Sequence, residues 1–395
     1  MNIEKFQIST PESDLVDMKD RLSRARWPKE VSNSGWSQGT DLSYLKELAA
    51  YWEKQFDWRL QEAKLNRFSH FRAPVKGLKL HFIHEKGKGP RPIPLALIHG
   101  WPSSFAEMLK VIPLLTDPAS HGGDPGDSFD VVVPSLPGYG YSDAPCECGM
   151  SIWRAAELIH QLMQNVLGYS RFVASGGDWG AYAASYLGYN HADQIPAIHL
   201  SFVPGGISPE ISSKDVPLSR AEADLLLHRQ KWTQHEGGYE HLQSTKPQTI
   251  AYALNDSPVG LAAWILEKMY SWSDCNGNVE AVFSKDEILT NISIYWFTRT
   301  IDSSIRLYYE TQEDPWTLPP GKRIESPTGI SVFPKELSVP PREWAERIYN
   351  VQQWTEMPHG GHFAAAEQPD LLVKDIRSFF RQFRKQAFDV WKQNL

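Results

Sequence analysis

The sequence predicts an α/β protein with a mostly parallel central sheet, a helical segment inserted into that sheet and a helical N-terminal extension wrapped around it. Three observations carry this reading. From Gly77 onward, short runs rich in Val, Ile and Leu alternate with helical stretches, as in a sheet whose strands are covered on both faces. After Pro204-Gly205-Gly206 the strand signals vanish for roughly a hundred residues and then return. Before Gly77, apolar residues recur at helical spacing.

In the extension, Leu15, Met18 and Leu22 line one face of a helix that Trp27-Pro28 stops. A second helix follows from Asp41, and its stripe of Leu42, Leu45, Leu48, Ala49 and Trp52 needs a surface to cover. Strands are expected at 78–84, 93–98, 129–133, 171–174 and 195–202, then at 329–333 and 349–355. The clearest helix between them runs over 151–167, with Ser151 as its N-cap and Gly168 as its stop. Helices at 220–236 and 259–272 fill the insertion, and a last helix starts at Pro369. The expected division is an extension over 1–76, a first core part over 77–204, a helical cap over 205–325 and a second core part over 326–395.

Composition narrows the function. The 395 residues carry a formal net charge of −7 with basic residues scattered among acids, which argues against nucleic acid as a partner. Fifteen Trp, 15 Tyr and 17 Phe can fill a core or line an apolar pocket. Three cysteines are too few for a disulfide framework or a four-thiolate zinc site, so reduced thiols are expected. The N-terminus has no secretory pattern and no apolar run is long enough to span a bilayer, so a soluble, cytoplasmic protein without membrane attachment is expected. The Asn255 and Asn291 triplets would matter only in a secreted protein.

The most informative segment is Val173-Ala174-Ser175-Gly176-Gly177-Asp178-Trp179-Gly180, which reads as strand, sharp turn, helix. Small residues around a nucleophile allow the strained elbow of the α/β-hydrolase fold, here with Asp178 where a serine would stand. A carboxylate nucleophile makes an alkyl ester by displacement at carbon. In His99-Gly100-Trp101-Pro102, at the end of the neighbouring strand, the backbone N–H of Trp101 is expected to join that of Trp179 in an oxyanion hole. His99 reads as a buried structural residue, and the Trp101-Pro102 bond is a candidate cis peptide.

The triad order in this fold is nucleophile, acid, histidine. His359-Gly360-Gly361-His362-Phe363 follows the last strand, with His362 the expected base and His359 a surface residue. Glu336, after Ile330-Ser331-Val332-Phe333-Pro334-Lys335, is the expected acid that orients His362. His235-Glu236 lacks its second histidine because Tyr239 stands in that place, and Gly138-Tyr139-Gly140 is followed by Asp143 where a third glycine belongs. Neither a metal nor a cofactor is expected, and 137–142 reads as a loop at the rim of the site.

Taken in order, these motifs resemble the microsomal-type epoxide hydrolases, in particular soluble fungal members similar to juvenile hormone epoxide hydrolases. Arg26-Trp27-Pro28, Phe56-Asp57-Trp58-Arg59 and Leu65-Asn66-Arg67-Phe68 resemble that family's extension, and Ser257-Pro258-Val259-Gly260-Leu261-Ala262-Ala263-Trp264-Ile265 resembles its cap. The resemblance implies a small epoxide and water as substrates. It also implies two cap tyrosines that protonate the epoxide oxygen, carried over to Tyr239 and Tyr308, with Tyr309 as the rival to Tyr308. Homodimer formation is likewise implied only by the resemblance. Glu336 resembles the mammalian form at a position where many fungal relatives carry Asp. A haloalkane or haloacid dehalogenase with the same nucleophile, and a non-catalytic binding protein on the same fold, remain alternatives.

Overall fold

A computed structural model describes residues 3–207 and 218–388 of the chain. Nine strands form one sheet: β1 (Glu4–Phe6), β2 (His70–Val75), β3 (Leu78–Glu85), β4 (Ile93–Ile98), β5 (Phe129–Pro134), β6 (Val173–Gly176), β7 (Ile198–Leu200), β8 (Ile324–Val332) and β9 (Tyr349–Glu356). Their spatial order is β1-β2-β3-β5-β4-β6-β7-β8-β9. The first four in that order pair antiparallel and the rest pair parallel.

The middle of the sheet is its driest part. Every residue of β4 is buried, and Val131, Val132, Val173 and Ala174 beside it are fully enclosed. Such burial stabilises by about 1.5–3 kcal/mol for each large aliphatic side chain. From β4 the chain steps to β5 on one side and then to β6 on the other. In a parallel sheet that reversal opens a crevice beyond the carboxyl ends of the strands, so the loops after β4 and β6 are placed to form a site.

Two strands were not legible in the sequence, which pointed to helices alone before Gly77. β1 is three residues long, too short to show alternation. β2 contains Pro74, which removes a backbone donor; β1 pairs only with residues 70–72, so Pro74 lies past its end and breaks no bond on that side. The first helix also ends at Ser23, before Trp27-Pro28. The second begins where expected, with the Asp41 carboxylate accepting from the Tyr44 amide. A further helix, Trp58–Leu65, follows it. β6 starts two residues later than the 171–174 expectation because its register against β4 pairs Leu95 with Val173 and Ile98 with Gly176. β7 is shorter than 195–202.

Between β7 and β8 the described chain is helical, from Arg220–His235 through Ile301–Glu313. The extension grips this cap: Arg21 reaches Asp256, Thr40 donates to the Ala263 carbonyl, and both Tyr51 and Gln61 bond Asp286. The amphipathic extension therefore covers cap as well as core. No helix among the described residues is long and apolar enough to cross a membrane.

Candidate active site

The loop after β6 turns so sharply that Asp178 adopts φ +46°, a left-handed conformation unusual for a residue with a side chain. Helix Asp178–Asn190 starts at once. Glycines make this possible. A Cβ at Gly180 would stand 2.0 Å from the Ile98 carbonyl oxygen, and one at Gly176 would stand 2.5 Å from the Gly180 carbonyl carbon. Each would push the helix off the sheet.

From the end of β4, the Trp101 amide donates to Asp178 Oδ1 at 2.7 Å. Gly100 leaves room for that oxygen, since a Cβ there would lie 2.2 Å from it. Trp179 falls in the first helical turn, whose amides have no acceptor within the helix. The Trp101-Pro102 bond is cis. His99 is fully buried; its Nδ1 faces the Gly100 carbonyl and its Nε2 accepts from the Leu136 amide. Burial holds its pKa down to about 4, so it is a neutral structural residue.

On the other side of Asp178 lies His362, with Nε2 at 3.4 Å from Oδ2 and Nδ1 at 2.6 Å from Glu336 Oε1. Burial by itself would lower the imidazole pKa, but the carboxylates of Glu336 and Asp178 outweigh it and raise the pKa well above its ordinary value. The loops carrying acid and histidine are tied together, the Lys335 amide donating to the Gly360 carbonyl at 3.1 Å. His359 is exposed.

Tyr239, in the first turn of Gly238–Thr245, and Tyr308, in Ile301–Glu313, enter from the cap and meet edge to face at 6.0 Å. Both line a cavity of about 300 Å³ together with Asp178, Trp179, Tyr182 and Phe202. Tyr309 is 36% exposed and lies outside this lining, as adjacent helical residues must face different ways. Burial, reinforced by nearby carboxylates, pushes both cavity phenols well above their ordinary pKa, so they stay protonated. The arrangement can therefore present a carboxylate and two proton donors to one aromatic-walled pocket, with an imidazole behind the carboxylate.

Several contributors escaped sequence reasoning. Glu367 accepts from the amides of Gly361, Phe363 and Asp274, and the Trp272 carbonyl accepts from the His362 amide. These bonds clamp the histidine loop to the cap. Glu107, hydrogen-bonded to Ser103, lines a second cavity of about 480 Å³ whose walls do not include Asp178. The Asp274 and Trp272 contacts cross the fold, and the burial of Glu107 is set by packing, neither of which a local motif records.

Among the described residues, Glu157, His160 and His191 are close enough to share a metal ion. The Nε2 of His191 already bonds Glu157 at 2.8 Å and that of His160 bonds Gln194 at 2.5 Å, and the two imidazoles stack at 14°.

The profile of the family "Epoxide hydrolase N terminus" matches residues 3–108, and that of "alpha/beta hydrolase fold" matches residues 93–224. A Stigmatella aurantiaca protein is 45% identical over 97% of this chain and 86% of its own length. Epoxide hydrolase 1 of Oryctolagus cuniculus is 37% identical over 96% of this chain and 88% of its own. The structure of Aspergillus niger epoxide hydrolase superposes with a TM-score of 0.83 at 31% identity, covering 97% of both chains. With the extension, the core and the cap all matched from end to end, the chain belongs to the epoxide hydrolases of the α/β-hydrolase fold.

Proposed function

We propose that Asp178 is the nucleophile of this epoxide hydrolase, that Tyr239 and Tyr308 donate the proton to the epoxide oxygen, and that His362, oriented by Glu336, activates the water that releases a vicinal diol. The observation that carries this reading is the position of the Asp178 carboxylate, with Oδ1 on the Trp101 amide and Oδ2 beside His362, at the wall of the cavity that both tyrosines line.

Oδ1 already occupies the oxyanion site, so Oδ2 attacks the epoxide carbon. The C–O bond of the ring breaks, its electron pair goes to oxygen, and a phenol proton neutralises the alkoxide. In the second step Nε2 of His362 takes a proton from water, which attacks the Asp178 carboxyl carbon. Charge builds on Oδ1, where the Trp101 and Trp179 amides stabilise it. Collapse expels the diol oxygen, which takes the proton held by the His362 imidazolium, and the second water proton, left on the Asp178 carboxyl, passes through solvent to the phenolate. Esterification also removes the Asp178 charge, one of the two that raise the His362 pKa, so alkylation itself favours the basic form of the imidazole. The aromatic walls suit lipophilic aryl or alkyl epoxides.

A reducing, cytoplasmic location accompanies this proposal, supported by three free cysteines of which Cys146 and Cys148 are exposed. The homodimer is a proposal from family resemblance, to be checked by sedimentation.

The test uses His362→Gln and Asp178→Ala. After mixing with an epoxide, intact mass of His362→Gln is expected to rise by one substrate mass per active site, on the peptide holding Asp178; Asp178→Ala is expected to stay unmodified. An unmodified His362→Gln protein that demonstrably binds substrate would overturn the covalent route.

A further inference from the structure

The cap helix Pro258–Ser271 buries a lysine next to the proposed proton donor. The Lys268 side chain is 7% exposed, and its Nζ lies over the Tyr239 ring at 4.7 Å from the centroid and over the Trp272 ring at 5.6 Å. Among the described residues its recorded carboxylate partner is the adjacent Glu267. Removing an ammonium from water is costly, and a packed apolar side chain would fill the same space without that cost. The position of this cation over one particular phenol therefore needs a reason.

Tyr239 supplies one. Burial first, then the carboxylates of Glu240 and Asp178, oppose loss of its proton, with the hydrogen bond to Tyr308 acting the other way. A positive charge close to such a phenol stabilises electrostatically the negative charge that develops as its proton leaves. A cation over a neutral ring is attracted by the ring quadrupole alone. As the proton leaves, charge spreads from the phenolic oxygen into the ring and the attraction grows. An interaction stronger in the transition state than in the ground state accelerates the step.

We infer that Lys268 is a positioning residue for ring opening, its ammonium stabilising the phenolate character that Tyr239 acquires while it protonates the epoxide oxygen. The inference rests on Tyr239 being a proton donor, as proposed above. It assigns a role in alkylation and none in ester hydrolysis, because Tyr239 contacts neither the attacking water nor His362 in the mechanism proposed.

Single-turnover kinetics followed by tryptophan fluorescence separates the two steps. Lys268→Met is expected to slow alkylation on the order of tenfold, the scale of a desolvated cation–π contact, with ester hydrolysis unchanged. Lys268→Arg is expected to restore most of the rate. In a Tyr239→Phe background the Lys268→Met change should cost nothing further, because no phenolate forms there. The loss should also shrink for epoxides bearing electron-withdrawing substituents, whose alkoxides need less protonation. An equal loss in both backgrounds, or parallel losses in alkylation and hydrolysis, would mark Lys268 as merely structural and overturn the inference. If Tyr239→Phe slows alkylation while Lys268→Met does not, the inference alone fails. If Tyr239→Phe alkylates at the wild-type rate, the reading of Tyr239 fails first and the inference falls with it.

Discussion

Glu336 and His362 form a buried pair, Oε1 at 2.6 Å from Nδ1, with side chains 4% and 2% exposed. Oε1 also accepts from the Leu337 amide at 2.6 Å, which fixes the carboxylate in place. The pair holds Nδ1–H toward the acid and leaves Nε2 to face Asp178. Glu336→Gln is expected to slow ester hydrolysis by about 10²-fold or more, with alkylation much less affected. Rapid-mixing kinetics checks this; a loss confined to alkylation would contradict the role.

The two cavity phenols are expected to share the protonation of the epoxide oxygen. Tyr239→Phe or Tyr308→Phe alone should slow alkylation by about 10²-fold, and the double variant should come close to inactive. Tyr309→Phe, on the exposed side of the same helix, should leave turnover unchanged. A Tyr309 variant more damaging than the Tyr308 variant would contradict the cavity assignment.

Gly100 lets the turn after β4 close on Asp178. Gly100→Ala places a methyl 2.2 Å from Asp178 Oδ1, so the carboxylate or the Trp101 amide must move. Displacements of about 1 Å at a reacting centre can cost 10²-fold, and alkylation should fall by at least about that factor. Substrate turnover together with adduct mass in the His362→Gln background reads the effect; wild-type alkylation by the Gly100 variant would show that the turn tolerates the methyl.

Glu107 ties stability to pH. Burial, opposed by the Ser103 hydrogen bond, lifts its carboxyl to about 7 from an ordinary 4.5. Between those values the folded protein holds a proton that the unfolded chain has released, so stability from this group is full below about 4.5 and is lost as pH rises through about 7. Glu107→Gln should flatten that part of the profile. Thermal unfolding of both proteins from pH 5 to 8 is the measurement, and identical slopes would remove Glu107 as the cause.

What the sequence determined by itself was local. Asp178 was legible because an elbow needs small residues at fixed offsets, and Gly176, Gly177 and Gly180 stand at those offsets. His362 and Glu336 were expected beside Asp178 because the fold orders its triad along the chain and each residue follows a readable strand, and the three do lie together. The cap showed as a gap in the strand pattern, whereas β1 and β2 left no signal, being short or interrupted by proline. The tertiary structure alone decided which of Tyr308 and Tyr309 turns inward, since helical phase must be referred to a packed neighbour before it has a direction. It alone set Glu367 on the histidine loop, Glu107 beside Ser103 and Lys268 over Tyr239. Even where the partners are near in sequence, as Glu107 and Ser103 are, their physics, burial of a charged or polar group against a specific partner, exists only once the core and the cap have closed over them.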